Sequence, residues 1–348
     1  MTIGIYNPYL DTLGGGERYC FDIARCLSAG GDVHIFWDDP EILTRARERF
    51  GISTEGIRLV RNIWKTGNVF TRTHASSAYD AIFYVSDGSI PFVFSKKAYL
   101  IFQFPVAVKR SFLTNLKLRN ITGILCYSLF VKEFLDRQFD KKAIVLPPAV
   151  DAKAFQSGKK EKLIVSVGRF TKGKNTKKQE FLIDIFKTLA KNELKNWRFV
   201  LAGGMLGKDE NLIDSLRARA KGFQISVEPN ISFADLQSLY AKAQIYWHAA
   251  GYGEDLSVYP EKAEHFGLTT LEAMSAGAVP VVFAGGGQKE VVQDGKSGYL
   301  WQTQEDLMRM TSMLIRDAKL RSRVAQAGER RAHDFSRERF CAGVHALL

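Results

Sequence analysis

The first 37 residues read MTIGIYNPYLDTLGGGERYCFDIARCLSAGGDVHIFW, and this stretch decides the fold class. An apolar segment at residues 1–6 runs into a glycine-rich loop at residues 14–16. Residues 21–27 then place apolar side chains at helical spacing, and a second apolar segment covers residues 33–37. Strand, glycine-rich loop, helix and strand in this order form a βαβ unit, the repeating element of a parallel sheet. The stretch therefore predicts an α/β domain.

The same alternation continues along the chain and predicts two similar-sized α/β domains. Further strands are predicted at residues 81–85, 98–102, 123–126 and 143–146, and then at 163–167, 197–202, 224–227, 245–248 and 279–283. Helices are predicted near residues 179–189, 212–221, 234–242 and 269–276, and in most of the region after Gln304. The pattern breaks at Pro147 and stays polar to residue 160, which is typical of a linker. We predict an N-terminal domain at residues 1–155, a C-terminal domain at 156–325 and a helical segment at 326–348.

Composition indicates a globular protein with anionic partners. The chain has 348 residues, of which 46% are hydrophobic and 25% charged, enough for two cores of ordinary size. No apolar stretch approaches the ~20 residues that a membrane helix needs. The N-terminus lacks a basic region and a cleavage site, so we expect a cytoplasmic protein. The net charge of +12 favours nucleic acid, anionic lipid headgroups or nucleotide diphosphates without choosing among them.

The four cysteines and the acidic residues predict no metal site. No C-x-x-C pair occurs, no histidine lies at zinc-ligand spacing, and no carboxylate cluster has metal-site spacing. We expect reduced structural thiols in a cytosolic protein. The cysteines are Cys20, Cys26, Cys126 and Cys341.

The loop around Gly15 and Gly16 is the first candidate ligand site. Glycine lets the backbone approach a ligand, and the start of the following helix offers N–H donors to phosphate. The dinucleotide pattern G-x-G-x-x-G is absent. A tight strand-to-helix turn without a ligand is the alternative.

The second candidate is Arg169, in V-G-R-F directly after a predicted strand. A cation at the carboxyl mouth of a parallel sheet can neutralise a diphosphate, and we expect Arg169 to be buried beside the strand. Basic residues follow it, and for most of them a solvated loop is the better interpretation: Lys172, Lys174, Lys177 and Lys178.

Residues 264–274, E-H-F-G-L-T-T-L-E-A-M, give the strongest signal. Glu264 and Glu272 flank a glycine turn that starts a helix, with Thr269 or Thr270 as the predicted N-cap. In the functional interpretation Glu264 faces a donor sugar and Glu272 the ribose. In the alternative, Glu272 only caps the helix and Glu264 is a surface acid. The further donor-binding residues would be His265, Phe266, Gly267, Leu268 and Thr269.

Taken together, these residues resemble a family 4 retaining glycosyltransferase of the GT-B fold, over nearly the full length of the chain. The matching motifs are G-G-G-E-R at 14–18, P-P-A-V-D at 147–151, V-G-R-F at 167–170, L-A-G-G at 201–204, E-x7-E from 264 to 272, A-M-S-A-G-A-V-P-V-V at 273–282 and G-G-Q-K-E at 286–290. E-H-F-G and W-H-A-A-G-Y-G-E-D at 247–255 look most like a subgroup that contains mannosyltransferases.

The resemblance implies two Rossmann-like domains facing a cleft, with the C-terminal helical segment packing back on the first domain. It implies a nucleotide-sugar donor held mainly by the second domain, retention at the anomeric carbon, and neither cofactor nor metal. GDP-mannose is the first expectation for the donor and a UDP-hexose the second. Arg169 and a lysine would hold the diphosphate. Lys177 is the preferred diphosphate-binding lysine, because its sequence distance to the following helix is the one usual in the family. Lys174 is the alternative, because its sequence distance from Arg169 is the one common in the family. Gly203 would also line the donor site.

One departure from the family concerns Gln103, which stands where many relatives have a histidine near the reacting sugar. Glutamine donates hydrogen bonds but cannot act as a base, so we expect the departing phosphate oxygen to take the acceptor proton. The acceptor side would include Glu17, Lys109 and Arg110. The acceptor itself would be a glycan or a lipid-linked molecule in the synthesis of a cell-surface polysaccharide or glycolipid.

A basic and aromatic segment lies between Asp87 and Glu133, where no acidic residue occurs. It suits docking on an anionic membrane at the inner face of the cell. Equally, its aromatic residues can be strand core and its lysines ordinary surface. The residues are Lys96, Lys97, Lys109, Arg110, Lys117, Arg119 and Lys132, with Phe92, Phe94, Tyr99, Phe102, Phe104 and Phe112.

Two other functions remain open at this point. A sugar-nucleotide epimerase of the same fold would share the nucleotide site but need no acceptor. A basic nucleic-acid-binding protein would use the positive charge, but the chain shows no recognisable nucleic-acid module, so we expect no nucleic-acid partner.

Overall fold

The computed structural model describes residues 1–171, 176–205 and 209–348, which form two compact units. Unit 1 contains Met1–Ala149 together with Arg337–Leu348. Unit 2 contains Val150–Ser336. The chain therefore builds most of unit 1, passes through unit 2 and returns to unit 1.

Unit 1 is built on a seven-stranded parallel sheet with the strand order β3-β2-β1-β4-β5-β6-β7. Every residue of Ala81–Val85 is buried, as expected for a central parallel strand covered on both faces. The strands are β1 (Thr2–Tyr6), β2 (Asp32–Phe36), β3 (Ile57–Val60), β4 (Ala81–Val85), β5 (Lys97–Phe102), β6 (Gly123–Cys126) and β7 (Ile144–Val145). Its first six helices are α1 (Gly15–Leu27), α2 (Ile42–Phe50), α3 (Ile63–Thr66), α4 (Val69–Ser77), α5 (Phe112–Arg119) and α6 (Leu129–Asp136).

Unit 2 repeats this plan with a six-stranded parallel sheet in the order β10-β9-β8-β11-β12-β13. Its strands are β8 (Leu163–Val167), β9 (Arg198–Gly203), β10 (Ile225–Pro229), β11 (Ile245–His248), β12 (Val279–Phe283) and β13 (Tyr299–Trp301). Its helices are α7 (Gln179–Ala190), α8 (Glu210–Ala220), α9 (Phe233–Lys242), α10 (Leu268–Ser275), α11 (Gln288–Val291), α12 (Gln304–Arg316) and α13 (Ala318–Ala332). Trp247 and Trp301 are fully buried in its core.

Both sheets reverse their strand order beside their first strand. β1 pairs with β2 on one side and β4 on the other, and β8 pairs with β9 and β11. In open parallel sheets, ligands bind outside the carboxyl ends of the strands at such a switch point. The predicted pair of Rossmann-like sheets is confirmed. Among the helices of the described ranges, none is long and apolar enough to cross a membrane.

Unit 2 begins at Val150, whereas the predicted domain boundary is at residue 155, so residues 150–155 pack within unit 2. The Val150 amide donates to the Phe335 carbonyl at 2.9 Å. Phe155 is fully buried and packs edge-on against Tyr240 at 5.6 Å between ring centroids. The polar composition of the segment 147–160 conceals this packing.

The return to unit 1 begins at Arg337, not at residue 326 as predicted. α13 stays in unit 2, where Arg331 donates to the carbonyls of Glu290 and Val291 at 2.6 and 3.2 Å. The final helix, α14 (Arg337–Leu347), packs in unit 1, with the Phe340 ring 5.2 Å from that of Tyr19. The prediction that the C-terminal helical segment packs on the first domain is thus confirmed for residues 337–348.

The cysteine prediction is corrected in part. Cys26 on α1 and Cys341 on α14 form a disulfide, with their Cα atoms 5.1 Å apart and 315 residues between them in sequence. Spacing could not reveal the pair, because only the return of α14 brings the two residues together. Cys20 and Cys126 are buried and form no disulfide. The disulfide removes the thiol argument for a cytosolic location, which stays a prediction.

The basic and aromatic segment divides into core and surface. Tyr99 and Phe102 lie in β5 and are buried, with 4% and 0% of their surface exposed. Phe94 and Phe112 are exposed, at 44% and 85%. The core interpretation is therefore confirmed for Tyr99 and Phe102, and docking of the exposed residues on a membrane stays a prediction.

Candidate active site

Three of the predicted site residues, together with His248, lie at the carboxyl ends of β8 and β11, the switch point of the unit 2 sheet. Arg169 follows β8, and His248 is the last residue of β11. Lys177 precedes α7, and its stem lies against Gly168, where an added Cβ would be 2.7 Å from Lys177 Cγ. Glu264 lies in the loop before α10. The switch point thus brings together residues at the ends of two strands and residues in the loops before two helices.

Glu264 is the centre of a partly buried ionic cluster. Its Oε2 lies 2.8 Å from Lys177 Nζ and 2.9 Å from His248 Nε2. The side chains of Lys177 and Glu264 are 14% and 16% exposed, and that of His248 is 1% exposed. We refer to Lys177, His248 and Glu264 as the Glu264 cluster.

The cluster sets the charges of its members. Burial alone would raise the pKa of Glu264, but the charge of Lys177 and the contact with His248 hold that pKa well below its ordinary value. Burial lowers the pKa of His248, and Glu264 opposes this only in part. At neutral pH the cluster therefore holds a carboxylate, an ammonium group and a neutral imidazole. His248 Nε2 is close to Glu264 but poorly aligned for a hydrogen bond, and its Nδ1 bonds to no described residue.

Arg169 has a fixed backbone and an exposed side chain, contrary to the expected burial. Gln179 Nε2 donates to the Arg169 carbonyl at 3.2 Å, and the Phe170 amide donates to the Gly204 carbonyl at 2.8 Å. The guanidinium group forms no ion pair with a described residue, so it is available to an anion. Lys172 and Lys174 lie outside the described residues.

The start of α10 differs from the predicted cap. Gly267 is the N-cap, with φ of 111°, so neither Thr269 nor Thr270 takes this place. Thr269 instead bonds through Oγ1 to Tyr246 OH at 2.8 Å, and Thr270 Oγ1 accepts from Gln288 Nε2 at 2.9 Å. The first turn of a helix leaves N–H groups without an acceptor in the helix, which suits a phosphate or sugar oxygen.

Three of the predicted donor-binding residues have protein partners. Glu272 is 5% exposed and accepts from Tyr240 OH at 3.3 Å, and it does not lie in the first turn of α10. Phe266 is 4% exposed and packs edge-on against Phe335. His265 Nε2 lies 3.0 Å from the Glu261 carbonyl, and burial lowers its pKa to about 4, so the neutral ring donates this bond. Contacts of these three residues with a donor stay predictions.

Two glycines of unit 2 allow close backbone packing at the site. An added Cβ at Gly286 would lie 2.0 Å from the Glu264 carbonyl oxygen, and Gly286 has φ of 59°. An added Cβ at Gly203 would lie 2.1 Å from the Gly168 carbonyl oxygen. G-G-Q-K-E was predicted only as a family motif, and its first glycine packs on the backbone of Glu264 in the structure.

In unit 1, Gln103 and the glycine-rich loop come together as a second group of predicted residues. Gln103 Nε2 donates to the Gly16 carbonyl at 3.0 Å, and an added Cβ at Gly16 would lie 2.1 Å from Gln103 Oε1. Gly15 is the first residue of α1. Glu17 is 4% exposed, and its Oε2 accepts from the Gly14 amide at 2.7 Å. The Glu17 carboxylate therefore holds the loop, whereas the prediction placed it toward an acceptor.

Lys109 and Arg110 lie just before α5, where no described contact joins them to Gln103. The Arg110 guanidinium donates to Asn115 Oδ1 at 3.0 Å and to the Gln138 carbonyl at 2.7 Å. Lys109 is exposed. A contact of either residue with an acceptor stays a prediction.

Chemically, the unit 2 site can bind a multiply charged anion beside an ionised carboxylate. Arg169, the Lys177 ammonium group and the N–H groups of α10 supply the positive side. Among residues 1–171, 176–205 and 209–348, no group of three or more His, Cys, Asp and Glu side chains is placed to hold a metal ion.

The family model for glycosyl transferases group 1 matches residues 150–331, just over half of the chain and nearly all of unit 2. The chain belongs to this glycosyltransferase family. The matched segment contains all four polar residues of the switch point.

Relatives of this glycosyltransferase include a mannosyltransferase. GDP-Man:Man(3)GlcNAc(2)-PP-Dol alpha-1,2-mannosyltransferase of Dictyostelium discoideum is 22% identical over 397 residues, which cover 87% of this chain and 75% of the relative. An uncharacterised glycosyltransferase of Methanocaldococcus jannaschii is 25% identical over 230 residues, which cover 66% of this chain and 59% of the relative. The chain thus spans less than two thirds of the second relative's length.

A solved structure shows the same fold. Anabaena HepE in complex with UDP and glucose superposes with a TM-score of 0.75 at 16% identity, covering 99% of this chain and 98% of that chain. At this identity the likeness concerns the fold alone. The glycosyltransferase therefore has the GT-B type of fold that its motifs predicted.

Acid is expected to destabilise unit 2 of this glycosyltransferase below about pH 6.5. The pKa of His265 falls from 6.5 to about 4 on folding, so the folded state binds fewer protons than the unfolded state between these values. Its contribution to stability is complete above pH 6.5 and is lost as the pH falls toward 4. Glu264, whose folded pKa is also lowered, adds a further loss below its ordinary pKa of 4.5.

We expect the free energy of unfolding in urea to be about 1 kcal/mol lower near pH 5 than near pH 8, a figure reduced for the partial exposure of His265. Tryptophan fluorescence measures the transition. His265→Asn should lessen the difference between the two pH values. Equal stability of the wild type at both pH values would contradict the prediction.

Proposed function

We propose that this glycosyltransferase moves a hexose, first of all mannose, from a nucleotide diphosphate donor to an acceptor hydroxyl, with retention and without a metal. The observation that carries the proposal is the Glu264 cluster beside the exposed Arg169, at the carboxyl ends of β8 and β11. GDP-mannose is supported by the name of the Dictyostelium relative. A UDP-hexose is the second choice, supported by the UDP complex of the Anabaena neighbour.

In this proposal Arg169 and Lys177 bind the diphosphate. Negative charge develops on the departing nucleotide diphosphate, and cations fixed in advance stabilise it. Lys177 is paired with Glu264 at 2.8 Å in the described structure, so it would shift toward the phosphate when the donor binds. Glu264 would then be free to face the donor sugar while His248 stays beside it. Lys174 is the alternative lysine.

The transfer step needs no protein base. The acceptor oxygen forms a bond to the anomeric carbon as the bond from that carbon to the phosphate oxygen breaks. The acceptor hydroxyl proton passes to the departing phosphate oxygen on the same face of the sugar. Gln103, held by the Gly16 carbonyl, is proposed to donate a hydrogen bond to an acceptor hydroxyl.

The acceptor is proposed to be a glycan or a lipid-linked molecule used in cell-surface polysaccharide or glycolipid synthesis. The Dictyostelium relative's name contains a lipid-linked acceptor, Man(3)GlcNAc(2)-PP-Dol. An enzyme with such an acceptor would work at the inner face of a membrane, from the cytoplasmic side.

The test is a calorimetric and thermal-shift screen with chelator present, using GDP, UDP, their mannose and glucose conjugates, and NAD. One nucleotide diphosphate should bind the wild type, and Arg169→Ala should weaken it at least about tenfold, or ~1.4 kcal/mol. Arg198→Ala is the matched control, because Arg198 begins β9 at the opposite edge of the same sheet and pairs with Glu161.

Binding of NAD alone, or of no nucleotide, would overturn the proposal. Binding that appears only when a divalent metal is added would overturn its metal independence. Product analysis then separates transfer from epimerisation, since only transfer requires an acceptor.

A further inference from the structure

α5 (Phe112–Arg119) is a helix without a buried residue. A helix in an α/β domain ordinarily buries an apolar stripe against its sheet. Here Phe112, Leu113 and Leu116 are 85%, 50% and 40% exposed. Within the described chain, the apolar side chains of this helix are largely left to solvent.

Side-chain contacts connect α5 to Phe92 and Phe94, of which Phe94 is 44% exposed. Lys117 Nζ lies 5.2 Å from the centroid of the Phe92 ring, and the Phe92 and Phe94 rings stack at 6.4 Å. The Phe94 amide donates to Ser76 Oγ on α4 at 3.1 Å. α4 begins with Val69 and Phe70, which are 54% and 86% exposed. We refer to the apolar residues of these three segments together as the α4–α5 face: Val69, Phe70, Phe92, Phe94, Phe112, Leu113 and Leu116.

The segment that carries α5 is basic in sequence, although Asp87 lines a cavity together with Lys109 and Lys117, and Asp140 pairs with Arg110 at 3.3 Å. No acidic residue occurs between Asp87 and Glu133. Lys109 precedes α5 and Arg119 is its last residue, and both are exposed and form no ion pair with a described residue. Exposed aromatic and leucine side chains bordered by cations match a bilayer interface, where rings enter the headgroup region and cations meet lipid phosphates. Binding of a soluble anion would leave these apolar side chains exposed to water.

We infer that the α4–α5 face docks this glycosyltransferase on an anionic phospholipid bilayer. The inference rests on the proposed function for its purpose, since a lipid-linked acceptor resides in the bilayer. Its physical basis is separate, because the face lies in unit 1 and the Glu264 cluster in unit 2. The docking inference can therefore fail while the proposed function holds, and the reverse is equally true.

The experiment is cosedimentation of the full chain with vesicles of phosphatidylcholine alone or with about 30% phosphatidylglycerol. We expect binding to the anionic vesicles only, weakened by salt. The double changes Phe112→Ser with Leu113→Ser, and Lys109→Glu with Arg119→Glu, should each lower the bound fraction at least about tenfold. The control pair is Val258→Ser with Tyr259→Ser, since both residues are exposed on unit 2, at 60% and 47%.

Three results would overturn the inference: no sedimentation of the wild type with anionic vesicles, equal loss in the control, or a dimer in analytical ultracentrifugation that the Phe112 variant abolishes. Calorimetry with GDP and UDP on the same variants separates this inference from the proposed function. Unchanged nucleotide binding together with lost vesicle binding supports the docking face. Lack of nucleotide binding in the wild type counts against the proposed donor and leaves the vesicle result to decide the docking alone.

Discussion

Glu264→Gln should lower the turnover of glycosyl transfer at least about 100-fold, which corresponds to ~2.7 kcal/mol in the activation free energy. The carboxylate contacts both Lys177 and His248, at 2.8 and 2.9 Å. Glutamine keeps the volume and can accept a hydrogen bond, but it removes the charge that faces the donor sugar in the proposed mechanism. Turnover is measured with the donor found in the nucleotide screen.

Stability must be followed in the same variant. Removing one partner of a buried ion pair leaves the other charge uncompensated. Lys177 is 14% exposed, so part of this cost should appear in urea unfolding. Glu161→Gln is the control, because it removes a carboxylate that pairs with Arg198 near the amino ends of the unit 2 strands. Near-normal turnover of Glu264→Gln would show that the carboxylate has no part in the chemistry.

Gly286→Ala should lower the free energy of unfolding by about 2–3 kcal/mol and also remove nucleotide binding. The added Cβ would lie 2.0 Å from the Glu264 carbonyl oxygen, which is shorter than any distance that two non-bonded atoms adopt. The backbone of Glu264 must therefore move, and its side chain with it. The positive φ of 59° adds strain for alanine.

Gly295→Ala separates the two causes. Gly295 has φ of 71°, but an added Cβ there would meet no atom within 4 Å. This variant should lose about 1 kcal/mol of stability and bind the nucleotide normally. Urea unfolding and calorimetry are compared for both variants. If the two alanines behaved alike, close packing on Glu264 would not matter for the site.

The sequence predicted the central strands of both sheets closely. β4, β6, β8, β11 and β12 have the predicted bounds, because strands covered on both faces read as short continuous apolar runs. β3 and β13 were not predicted. β3 is an edge strand with Arg58 exposed, and β13 has three residues, so neither has such a run.

For the candidate site of unit 2, the sequence predicted which residues belong to it but not the contacts that their side chains make. Arg169, Lys177 and Glu264 follow from the motifs, and Lys177 meets Glu264 across 87 residues of sequence. The exposure of Arg169 and the partners of Glu272 and His265 depend on tertiary packing that no local pattern encodes. The cap at Gly267 went unrecognised because a glycine at this position has no side chain to bond the helix, unlike the threonines that follow.

The return of residues 337–348 to unit 1 imposes an order on biosynthesis. A ribosome makes most of unit 1 first, yet α14 emerges only after the whole of unit 2 has been synthesised. Unit 2 can therefore complete its fold while unit 1 still lacks a helix and the Cys341 partner of Cys26. Nascent unit 1 exposes the surface of α1 that α14 later covers for that entire interval, so we expect this surface to be the one most prone to aggregation during translation.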